Sequence, residues 1–125
     1  MRRIKKRDTL PELIVRRVAH SLGYRFRLHR SDLPGTPDVV FPGLRKAIFV
    51  HGCFWHQHAG CRLARQPKSR LDYWMPKLAR NSRRDLDALE KLNSLGWVCL
   101  VIWECETANA DQLRITLARF LSSPV

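Results

Sequence analysis

Eleven consecutive residues, His51 to Cys61 (HGCFWHQHAGC), hold three histidines, two cysteines and the adjacent pair Phe54-Trp55. Thiolates and imidazoles bind metals, and imidazoles also move protons near neutral pH. Cys53, His58 and Cys61 are separated by four and two residues, and Cys105, just past a later apolar run, can return in space as a fourth ligand. Four such donors suit tetrahedral zinc, and a site closed by four protein ligands is structural. The spacing is not that of a standard finger, so chance cysteines and packed histidines stand as the alternative. Cys99 is set aside because it alternates into a strand interior, where a free cysteine acts as a small hydrophobe.

His51 and His56 remain once His58 is assigned. Asp38 lies one hairpin upstream of His51, close enough in the fold to be brought beside it. A carboxylate holding a divalent cation, with imidazoles to move protons, is a workable set for phosphodiester hydrolysis. Taken singly, Asp38 reads as a turn cap after Pro37 and each histidine as a donor to a backbone carbonyl; the clustering favours chemistry. Phe54 and Trp55, in a polar loop, suit wedges driven between base steps. Trp74, beside the basic stretch Arg62 to Arg70, is divided evenly between wedge and core, whereas Trp97 and Trp103 read as core.

The elements that must position these residues follow from periodicity. Thr9 and Glu12 have capping-box spacing, and Leu13, Ile14, Val18 and Leu22 continue a helix that Gly23 closes. Tyr24, Phe26 and Leu28 alternate with polar residues as in a strand with one buried face. SDLPGTP turns the chain into the apolar run Val39 to Phe41, Pro42-Gly43 turns it again, and Ala47 to Val50 leads into His51. Pro76 fits the first turn of a long helix striped by Leu78, Leu89 and Leu92 and ended by Gly96. Asp85 falls on that apolar face, where a carboxylate needs a partner. WVCLVIW (Trp97 to Trp103) reads as a strand buried on both faces, and Ala110 to Leu121 as a closing helix. The order is helix, three strands, helix, strand, helix, an α/β domain.

The chain has 125 residues, suited to one domain over residues 1–125, and 23 Lys and Arg against 11 Asp and Glu give it a formal charge of +12. Such an excess points to nucleic acid first, with an acidic surface behind it. The basic start MRRIKKRD leads into no apolar segment resembling a signal peptide, and no run approaches the length of a membrane span. A cytoplasmic protein is expected, and four cysteines there favour metal binding or burial over disulfides.

PGTPDVVF, VHGCFWHQHAGC, YWMPKLARNSRRD and GWVCLVIWEC together resemble the very short patch repair (Vsr) DNA mismatch endonucleases, over residues 1 to 106. The resemblance implies a restriction-endonuclease-like fold of the PD-(D/E)xK class, a central mixed sheet flanked by helices, with Pro37-Asp38 as the recognisable half and Phe49 and His51 where the usual acid and lysine would be. It implies magnesium on Asp38 and the main-chain carbonyl of Val50, with His51 and His56 as acid-base and phosphate-side groups. Glu12 would lie near the same centre, and Asp85 would orient a histidine. Cys53, His58, Cys61 and Cys105 would hold the structural zinc, while Phe54, Trp55 and Trp74 would enter the duplex.

The implied activity is a magnesium-dependent nick of one strand at a T:G mismatch left by deamination of 5-methylcytosine. It would act as a monomer in the bacterial cytoplasm, on the nucleoid, beside a cytosine-5 DNA methyltransferase and mismatch-repair proteins. Two other readings are a sequence-specific nicking nuclease indifferent to mismatches and a non-catalytic, zinc-stabilised DNA-binding module. The sequence departs from the family pattern in having Val50 where better-known members carry threonine, and Ala59-Gly60 between His58 and Cys61, one residue more than in some relatives. The DNA-touching N-terminal arm of many members would lie upstream of Met1.

Overall fold

A computed structural model describes residues 8–65 and 67–123; the basic run 1–7 lies outside them. The first helix, α1 (Leu10–Ser21), starts at a complete capping box. Thr9 Oγ1 accepts from the Glu12 amide at 3.4 Å, and the Glu12 carboxylate accepts from the Thr9 amide at 3.1 Å. This arrangement satisfies two amides that a helix start leaves open. Gly23, at φ +90°, takes the left-handed position after the last turn. Thr9→Ala should cost about 1 kcal/mol in a urea titration; an unchanged midpoint would show that the cap contributes nothing.

Four strands follow in the order β1-β2-β3-β4. They are β1 (Arg27–Leu28), β2 (Val39–Phe41), β3 (Lys46–His51) and β4 (Val98–Trp103). The β1/β2 and β2/β3 pairs are antiparallel, and β3/β4 is parallel with His51 opposite Trp103. Between β3 and β4 the chain forms α2 (Leu71–Ser94), and α3 (Ala110–Ser122) closes it. Side chains alternate along β3. Ile48 and Val50 join Val15, Ala19, Phe41, Leu113 and Leu117 in the core beneath α1 and α3. Phe49 and His51 face the α2 side. Buried Lys46 fastens the last turn of α3 to the sheet, donating at 2.6 Å to the carbonyls of both Phe120 and Ser123.

The expected element order is found, with four differences. The strand expected over Tyr24 to Leu28 is only two residues long; Tyr24 and Phe26 precede it and pack edge-on against Phe41. Pro76 is not in the first turn of α2, which begins at Leu71, so the Asp72 carbonyl has no amide to accept four residues on. The run Val98 to Trp103 is not buried on both faces: β4 is an edge strand, and Ile102 alone within it is fully covered. Trp97 and Trp103 are partly buried and stand outside the core cluster. The stripe of α2 does bury Leu78 and Leu92, with Ala88 between them.

Gly35 sets how closely the loop before β2 approaches α2. A Cβ there would stand 2.5 Å from the Ala88 side chain, and its φ of +74° already disfavours other residues. That close approach brings the start of β2, and Asp38 with it, up to the α2 side of the sheet. No helix among the described residues is long and apolar enough to cross a membrane.

Candidate active site

The ends of β2 and β3, the start of α1 and the middle of α2 enclose a cleft of about 880 Å³. Glu12, Asp38, Val50, His51, His56 and Asp85 all line it. Asp38 sits just before β2, where its Oδ2 accepts the Val50 amide at 2.7 Å. That bond fixes one carboxylate oxygen against the neighbouring strand and leaves the other toward α1. Burial pushes the Asp38 carboxyl up to about 7, helped by the nearby Glu12 carboxylate, while the Val50 amide pulls the other way. Glu12 is 3% exposed, and its Oε1 accepts no hydrogen bond. Arg16, which lies 3.5 Å from Glu12 and also pairs with Asp8, is the arginine beside these two carboxylates, and a divalent cation would supply further positive charge between them.

On the α2 side, His51 and His56 lie ring on ring, centroids 3.9 Å apart and planes 6° from parallel. His56 Nδ1 meets Asp85 Oδ2 at 2.5 Å. A carboxylate only accepts, so Nδ1 carries the proton, and the Nε2 lone pair of a neutral His56 is free to act as a base. The inward direction of Asp85 is thereby accounted for. His51 is nearly buried, and burial together with His56 drives it down to about 4 against the pull of Asp85. It is neutral at physiological pH.

The sequence does not single out His29, which there is merely the polar residue closing an alternating run. Its Nε2 receives Arg16 at 3.0 Å, which places the ring proton on Nδ1, 4.0 Å from Asp38 Oδ1. Arg16 in turn binds Asp8 at 2.7 Å and lies 3.5 Å from Glu12. Glu12, His29 and Asp38 thus form one compact group. Only the β1–β2 pairing, which has no local sequence signal, brings His29 there.

Beside the cleft, one ligand atom from each of Cys53, His58, Cys61 and Cys105 lies within 4.8 Å of the others. His58 Nδ1 is 3.7 Å from Cys53 Sγ and 3.5 Å from Cys105 Sγ. Tetrahedral zinc, with its usual Zn–S and Zn–N lengths, places S and N roughly 3.6 Å apart. The donor set therefore fits that ion. Burial raises the Cys53 thiol to about 12. Its thiolate form needs a cation beside it. Cys99 takes no part in the group, as expected.

Phe54, Trp55 and Trp74 pack into a triangle of rings with centroids 5.4 to 5.7 Å apart. All three are only partly buried. Phe54 and Trp55 form part of the cleft wall, and Trp74 stands behind them on α2. Asn81 donates to the Trp55 carbonyl at 3.3 Å, holding the loop. Lys77 lies 5.5 Å over the Trp55 ring and, with Arg84, gives this wall positive charge.

The family model described as DNA mismatch endonuclease Vsr matches residues 1–62. The chain is 39% identical to the DNA mismatch endonuclease Vsr of Escherichia coli over 113 residues, 90% of this chain and 72% of that protein. The chain belongs to the Vsr family. It is also 51% identical over 121 residues, 97% of this chain and 88% of the relative, to the type II nicking enzyme V.XorIIP of Xanthomonas oryzae pv. oryzae. The type II nicking enzyme V.NmeAIP of Neisseria meningitidis serogroup A is 35% identical over 121 residues, covering 97% of this chain and 86% of its own. This Vsr-family chain is a DNA endonuclease, and the reading as a non-catalytic binding module falls with that finding.

Proposed function

We propose that this Vsr-family enzyme nicks one DNA strand beside a T:G mismatch, in a restriction-endonuclease-like fold, with magnesium in the cleft and zinc in the Cys/His set. The observation that carries the mismatch reading is the partly exposed triangle in which Phe54 and Trp55 form part of the wall of the cleft that holds the carboxylates and histidines, backed by Trp74. An enzyme that cuts intact duplex has no need of three apolar rings there. One that opens a base step does, and a mispaired step costs less to distort than a paired one. The setting is repair after 5-methylcytosine deamination, beside a cytosine-5 methyltransferase.

Asp38 and the Val50 main chain would hold the magnesium, with Glu12 beside them. Bound there, the ion would stabilise charge building on the scissile phosphate and the leaving oxygen. His56, its Nδ1 proton held by Asp85, presents Nε2 to take a proton from water. His51, neutral and stacked beneath it, serves the phosphate side. Lys77 and Arg84 attract the backbone.

The type II nicking enzymes among the relatives favour a second reading, sequence-specific nicking that ignores mismatches. A nicking assay on matched and T:G duplexes, with and without magnesium, separates the two. Equal cutting of both duplexes would sink the mismatch reading, and cutting without any divalent cation would remove magnesium.

The aromatic wedge carries its own prediction. Replacing Phe54 and Trp55 by alanine should weaken T:G binding by on the order of 1 to 3 kcal/mol per lost stacking contact. Matched duplex, held mainly by phosphate contacts, should lose far less at the same salt concentration. Equal losses in folded, metal-loaded protein would show that the pair does not sense the mismatch.

A further inference from the structure

Hydrogen bonds do not fix the ring of His51. Its Nδ1 is buried without a partner, and its Nε2 is 3.9 Å from the closest Asp85 oxygen. Its orientation instead rests on other rings. Phe49 stands 5.8 Å away, His56 is stacked at 3.9 Å, and Trp103 presents itself edge-to-face at 5.2 Å and 76°.

Trp103 has a second partner on its other side. Its indole lies flat against His58, centroids 4.2 Å apart and planes 9° from parallel. His58, Trp103, His51 and His56 therefore form a continuous chain of rings from the Cys/His set to the cleft. The parallel pairing of β3 with β4 builds this arrangement: His51 is opposite Trp103 at the strand ends, and two residues past each end stand Cys53 and Cys105. One pair of strand ends thus delivers two metal-set thiols and the ring that joins them to the histidine pair. Trp103 is only partly buried and lies outside the apolar core cluster, which at this strand end is filled by its fully covered neighbour Ile102.

We infer that Trp103 is a positioning residue for the cleavage reaction, holding His51 and, through the stack, His56 in register by bracing them against His58 of the metal set. A metal bound by Cys53, His58, Cys61 and Cys105 then stiffens the cleft as well as the fold. The inference rests on the acid-base and zinc roles proposed above. An edge-to-face contact on one ring and a parallel stack on another resist rotation in two directions, which an aliphatic side chain of equal volume cannot do.

The test uses the full chain with Trp103→Leu, and Trp103→Phe as the variant that keeps an aromatic plane. Metal content, T:G binding, single-turnover cleavage and the carbon-bound proton resonances of the histidine rings are measured for each. In Trp103→Leu, metal content and mismatch affinity should stay at parent values while the cleavage rate falls on the order of 10- to 100-fold, as for a misplaced reacting group. The His51 and His56 resonances should move, and Trp103→Phe should recover most of the rate. Chelating the metal should shift the His51 resonance in the parent and much less in Trp103→Leu.

A fully metal-loaded leucine variant that cuts at the parent rate overturns the inference. So does a rate loss that merely tracks lost metal or lost DNA affinity, since that is what a structural role predicts. If Trp103→Leu does not fold, chelation of the metal in the parent decides: a His51 ring resonance that stays put in metal-free, folded protein overturns the inference. The underlying readings are checked apart from this, by the metal content of the parent and the rate of His51→Ala.

Discussion

Asp38→Asn should cut no DNA at any magnesium concentration, yet its magnesium-free form should be more stable than the parent at pH 8. The loss of cutting follows from removing the charge that would hold the cation. The gain in stability follows from burial. Folding raises the Asp38 carboxyl from 3.8 to about 7, so above pH 7 the parent ionises a group whose surroundings disfavour it. A shift of that size corresponds to about 4 kcal/mol. Asparagine keeps an oxygen for the Val50 amide without the charge.

The pH dependence has a definite sign. The folded chain holds the Asp38 proton more tightly than the unfolded chain, so this group lowers stability as pH rises from 3.8 to about 7. His51 acts oppositely. Its folded value near 4 lies below its usual 6.5, so the unfolded chain binds the proton more readily and stability rises with pH across that window. The two slopes offset each other in the parent. In Asp38→Asn the His51 slope remains, and urea titrations at pH 5 and pH 8 without magnesium should show the variant gaining stability where the parent changes little. A variant that still cuts, or one less stable than the parent at pH 8, would contradict the assignment of Asp38.

Cys105→Ala should release the structural metal and destabilise the fold by on the order of 4 to 5 kcal/mol. Cys105 follows β4, Cys53 follows β3, and His58 and Cys61 lie in the loop between β3 and α2. A bound ion therefore fastens the end of an edge strand to its neighbour and orders the loop that carries Phe54 and Trp55. Native mass spectrometry should find one zinc in the parent and none in the variant. Cys99→Ala, outside the donor set, should keep its zinc and provides the control. Well-folded parent protein without zinc would refute the site.

Features held together over short stretches of chain were legible in the sequence. The Thr9–Glu12 capping box is an interaction between residues three apart, and its spacing is its geometry. Cys53, His58 and Cys61 announce themselves because a metal demands particular atoms at close range, and Asp85 because a carboxylate on an apolar helix face must be answered. The order of elements followed in the same way from period and turn chemistry.

Strand order and packing decided the rest. An apolar run such as WVCLVIW reads alike in a central or an edge strand, since the covering comes from other elements, and only the sheet order leaves β4 at the edge. His29 reaches Glu12 and Asp38 through the pairing of β1 with β2, and Trp103 reaches His51 and His58 through that of β3 with β4. The environments of Asp38 and His51, and with them their shifted proton affinities, belong to the same class. Desolvation is a property of everything packed around a group, so a residue's neighbours in sequence cannot determine it.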